Sequence, residues 1–122
     1  LPSAEGSYWH AIVHRQEPDA WNSGYWFRRV GAHSIFPALL AESASLCRAH
    51  AGTGFTPGAS WDPIVFIDFC TGPASKPGSR AEALALAIQE AEWWLLFNWC
   101  AGVSRIDAGE GRAVRRCERN PE

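Results

Sequence analysis

The run from Ser79 to Cys100, SRAEALALAIQEAEWWLLFNWC, constrains the fold more than any other part of the chain. It is the longest stretch of good helix formers and also the most apolar, so it predicts a long helix against which the rest must pack. Leu84, Ile88, Ala91, Leu95 and Trp99 recur at helical spacing and share one face, expected to be core. Ser79, with Glu82 following it, reads as a capping box at the start, and Gly102 supplies a stop. Trp93, Trp94, Leu96 and Phe97 spread apolar surface around the second half, which predicts a helix covered on most sides.

Proline and glycine divide the preceding chain. Ser7 to Gln16 reads as a helix with Trp9, Ile12, Val13 and Gln16 on one side, ended by Pro18. Asp19 or Asn22 caps a second helix that runs through Val30 to Gly31. A third spans Ile35 to His50, with Pro37 in its first turn and Ile35, Leu39, Leu40, Ser43, Leu46 and Cys47 at the helical period. The segment Asp62 to Cys70, DPIVFIDFC, reads two ways. Its β-branched and aromatic residues favour a strand, whereas Asp62-Pro63 is an N-cap followed by a first-turn proline. Helix is the reading adopted, because a lone strand would leave its backbone groups unpaired. The expectation is an all-α domain, residues 1–102, of four to five helices packed around the Trp-rich C-terminal helix. A polar tail, 103–122, is expected to be marginally helical or mobile.

A formal charge of −2 gives no general attraction to nucleic acid or to an anionic membrane, so neither is an expected partner. The apolar run Trp93 to Phe97 is far too short to cross a bilayer, and a soluble chain is expected. Cys47, Cys70, Cys100 and Cys117 are widely spaced without a C-x-x-C pair and read as buried thiols, which suits a cytoplasmic protein. Two disulfides outside the cytoplasm are the alternative, since the sequence opens at Leu1 without methionine and a leader could have preceded it.

Chemistry-bearing residues gather in the first third. His10 and His14 lie four apart on a predicted helix, so both imidazoles leave one face, as in helical pairs that share a divalent metal. The segment HAIVHR lacks the glutamate of the zinc-protease motif, so a further ligand would have to come from His33, Asp68, Cys70, Glu90 or Glu92. In WNSGYWFRRVGAH, residues 21–33, cations alternate with aromatics, a composition suited to gripping a small anionic ligand. The plainer reading makes the arginines structural partners of Glu17, Asp19 or Asp68, and the histidines partners of carboxylates or carbonyls. Asp68 and Asn98 interrupt apolar runs and would need satisfying if buried, whereas Glu90 and Glu92 read as solvated. Nucleophile-elbow, P-loop, dinucleotide-binding and paired-cysteine zinc motifs are absent from the sequence.

The segment HRQEPDAWNSGYWFRRVGAH, residues 14–33, resembles a family of bacterial and fungal proteins. These carry a histidine-arginine pair, an acidic residue, Asn-Ser or Asn-Ala, and Tyr-Trp-Phe-Arg-Arg-Val-Gly-x-His. The likeness extends loosely to WDPIVFIDFC and the tryptophan-rich helix, and departs from the pattern at Ser34, where proline is expected. The family has no assigned activity, so the resemblance implies no catalytic residues.

Two functions follow from these residues. In the first, a pocket lined by His10, His14, Arg15, Arg29, His33 and Asp68 binds a small anion or a divalent metal, with His10 and His14 as metal ligands. Any catalysis there would use a histidine paired with Asp68. In the second, the chain is a catalytically silent association module in which Trp21, Trp61 or Trp93 anchors a partner or a homodimer.

Overall fold

The computed structural model describes residues 3–102. They form five α-helices, α1 (Ala4–Gln16), α2 (Ala20–Val30), α3 (Phe36–Ala49), α4 (Pro63–Thr71) and α5 (Arg80–Ala101), with a 3-10 turn at Pro73–Ser75. No strand occurs among the described residues, so the all-α class holds. The tail expectation at 103–122 lies outside the described residues. No helix among the described residues is long and apolar enough to cross a membrane.

The caps explain the boundaries. Ser3 accepts from the Gly6 N–H and starts α1 earlier than the apolar pattern implied. Asp19 caps α2 and Asp62 caps α4, with Pro63 at a position where its missing N–H costs no helical bond. The ambiguous DPIVFIDFC segment is therefore a helix. At α5 the Ser79 side chain accepts from the Glu82 N–H, while the Glu82 carboxylate accepts from Gly78 rather than from Ser79 itself. Gly102 closes α5 at φ 77°, a left-handed conformation that costs glycine little.

α1 and α2 form a hairpin; α2 also packs on α4, and α3 lies along α5. Phe27, Leu39, Phe66, Leu84, Ile88 and Leu96 are fully or nearly fully buried where these helices meet. Two packed faces differ from the sequence pattern. On α1 the buried side is Tyr8, Ala11, Ile12 and Arg15, whereas Val13 is 52% exposed and Gln16 faces solvent. On α5, Leu84, Ile88, Leu95 and Leu96 are buried, but Trp93, Trp94 and Phe97 stand about half exposed, so the helix is covered on one side only. Cys47 and Cys70 are half-buried free thiols, and Cys100 is exposed rather than buried. Burial lifts the Cys70 thiol to about 11, which keeps it protonated and unreactive at neutral pH.

Candidate functional site

The six residues expected to line one pocket do not converge. Arg15 is buried and committed to α5: its guanidinium donates to the Glu92 carboxylate at 2.5 Å and to Gln89 Oε1 at 2.9 Å. The Tyr8 hydroxyl donates to the other Glu92 oxygen at 2.7 Å, and the Arg15 cation lies 4.7 Å from the Phe66 ring centre. Burial opposes the Arg15 charge, but the Glu92 carboxylate beside it outweighs that and holds the guanidinium protonated above its ordinary range. Burial and the same carboxylate push the Tyr8 phenol well above its usual range, so it stays a hydrogen-bond donor. Glu92, expected in solvent, is fully buried, whereas Asp68, expected to pair with an arginine or histidine, is exposed. A helical projection of α5 carries the signal that was missed, because Glu92 shares the face of Ile88, Leu95 and Leu96.

His33 is buried and belongs to a second, partly buried cluster. Its Nδ1 accepts from the Ile35 N–H at 3.1 Å, so the ring proton sits on Nε2, which faces Glu5 Oε2 at 2.9 Å and donates to it. Trp99 Nε1 donates to the same oxygen at 3.1 Å. Partial burial works to raise the Glu5 pKa, yet the bonds from His33, the backbone and Trp99 outweigh it and lower it. Within that lowered interval the unfolded chain binds more protons than the folded one, so Glu5 contributes stability that is lost as pH falls through and below the ordinary glutamate range. Thermal melts over acid pH should show the parent losing stability faster than Glu5→Gln. Parallel curves would remove Glu5 from the acid response.

His33 also touches a hollow of about 590 Å³ lined by Gly31, Phe36, Leu40, Trp61 and Asp62. Both of its ring nitrogens are already engaged within the protein. Trp61 is buried and its indole N–H finds no hydrogen-bond partner among the described residues. Arg15 borders a different groove of about 540 Å³, with Pro18, Cys70, Glu82 and Gln89. Arg29 is exposed on α2, its cation 5.9 Å and 5.5 Å from the Tyr25 and Trp26 ring centres. Nothing gathers these cations around one anion.

The remaining polar group forms where α1 turns into α2. His14 lies in the last turn of α1, the Glu17–Pro18 peptide is cis, and Asp19 caps α2. One ligand atom each from His14, Glu17 and Asp19 lies within 4.8 Å of the others. His14 Nδ1 is 3.0 Å from Glu17 Oε1. The Asn22 side chain donates to Asp19 Oδ2 at 2.7 Å and its backbone N–H to Oδ1 at 3.2 Å, which orients the carboxylate. Those two bonds, chiefly the side-chain one, hold the Asp19 carboxyl below its ordinary range. His10, the expected second ligand, is not in this group: its ring stacks on Trp26 at 4.5 Å and lies 6.3 Å from the His14 ring centre.

No family model, curated protein or solved structure matches this chain. The elbow is therefore judged on its chemistry alone. Its sequence, H-x-x-E-P-D, was not read as a ligand set because the spacing fits no single helix face; only the reversal after Gln16 draws the three together.

Proposed function

We propose that the protein binds a divalent transition-metal ion at the α1–α2 elbow, through His14, Glu17 and Asp19. The observation that carries this reading is the mutual approach of one imidazole and two carboxylates within 4.8 Å. Imidazole with carboxylate oxygens suits zinc, manganese or iron(II), whereas calcium and magnesium prefer all-oxygen shells. Three protein donors leave coordination positions for water or a small anion, which is where the anionic ligand suggested by the sequence would enter. Asn22 acts as the outer partner that orients Asp19. The partial exposure of His14 and Asp19 and the exposure of Glu17 favour an exchangeable ion over a structural one.

Isothermal titration of the metal-stripped protein with zinc or manganese chloride tests this. One ion should bind per chain. His14→Ala and Asp19→Asn should each weaken binding at least ~10-fold, while His10→Ala should change it less than ~3-fold. Asparagine is chosen at position 19 because it preserves the α2 cap, so the helix itself is not in question. Absence of binding in the parent, or unchanged binding in His14→Ala, would refute the assignment.

A further inference from the structure

We propose that two copies of this chain pair through the outer face of α5, antiparallel about a two-fold axis near Trp93 and Trp94. Leu86 is 56% exposed, Trp93 49%, Trp94 53% and Phe97 52%, and these positions recur along one side of the helix. On α1, Trp9 packs edge-on against Trp93 at 5.9 Å, and Val13, one turn further on, is also exposed, so the apolar strip has a shoulder. Glu90 is the sole charged residue exposed between Leu86 and Ala101.

That distribution favours a second copy in one orientation. Pairing about the middle of the strip sets Trp93 against Trp94, Glu90 beside Phe97, and Leu86 against Cys100 and Ala101 of the other copy. Parallel pairing would instead bring the two Glu90 carboxylates together, which is unfavourable. A self-complementary strip of this kind forms a closed two-fold interface. With aromatic side chains of roughly 150–250 Å² each, three half-exposed rings offer about 300 Å². Leu86, Trp9 and Val13 bring this to about 500 Å² per copy, hence about 1,000 Å² in total, at the lower limit for a specific interface. The dimer is therefore reversible.

The chain's own residues 103–122 are a poor cover for the same strip. They include nine charged residues, Arg105, Asp107, Glu110, Arg112, Arg115, Arg116, Glu118, Arg119 and Glu122, no aromatic, and only Val103, Ile106 and Val114 as branched aliphatics. The strip shares no residue with the metal elbow, so loss of metal binding leaves the pairing intact.

Sedimentation equilibrium of the full chain in EDTA, from about 1 to 200 µM, should fit a monomer–dimer equilibrium. Leu86→Glu with Phe97→Glu should raise the dissociation constant at least ~100-fold while the circular dichroism spectrum is retained. Phe97→Ser alone, a milder change, should raise it roughly 10-fold and serves if the double variant folds poorly. Trp21→Ala, on a different helix, should leave it unchanged. A parent that stays monomeric throughout, whether because its tail or an unrelated protein covers the strip, overturns the proposal. So does a dimer indifferent to the α5 variants or abolished by Trp21→Ala.

Discussion

Arg15→Met should lower the unfolding free energy by about 3–5 kcal/mol in denaturant titration, because it strands the Glu92 carboxylate in the core without its cation. The loss comes from the unpaired charge and not from the net worth of the pair, which repays a desolvation cost of similar size. A compensated variant separates the two. Arg15→Met combined with Glu92→Leu and Tyr8→Phe removes the charge pair and the hydroxyl bonded to it, and should recover most of the loss, to within about 1–2 kcal/mol of the parent. A single Arg15→Met variant costing under about 1 kcal/mol would mean that water reaches Glu92 and that the ion pair is not dry.

Phe66→Ala should cost a comparable amount, about 3–5 kcal/mol, by opening a cavity in the core beside the Arg15 guanidinium. Its ring is fully buried, 6.0 Å from Phe55 and 5.3 Å from Trp61, and it supports the Arg15 guanidinium from below. Phe66→Leu keeps most of the volume and should cost well under half as much. The two variants should be measured against Arg15→Met in one cycle. Because Phe66 and Arg15 touch, their effects should not add, and a coupling of at least about 0.5 kcal/mol is expected. Strict additivity would show that the ring packs independently of the cation above it.

The helices were legible because their signals are local. Asp19, Asp62 and Ser79 sit directly before apolar runs, and prolines at 18, 37 and 63 fall where they end or begin helices. The site was less legible. His10 and His14 looked paired because they are one turn apart, but the stack of His10 on Trp26 is a contact between helices that spacing does not report. Asp68 looked buried because its neighbours are apolar, although it occupies the solvent side of α4, between the buried Ile67 and Phe69. Glu92 looked solvated by the same habit of reading immediate neighbours, when its helical face was the better guide. Trp61, grouped with Trp21 and Trp93 as an exposed anchor, is in the core, whereas Trp21 is 75% exposed.

Caps, breakers and apolar period, all set within a few residues of one another, were enough to determine an all-helical chain and where most of its helices run. Which face of each helix was buried, and which charges were spent inside, depended on the angles at which α1 meets α2, α2 meets α4, and α3 and α4 meet α5. Those angles follow from the packing of residues as far apart as Tyr8 and Glu92. Local sequence cannot weigh such a contact, because its free energy exists only once both groups leave water together.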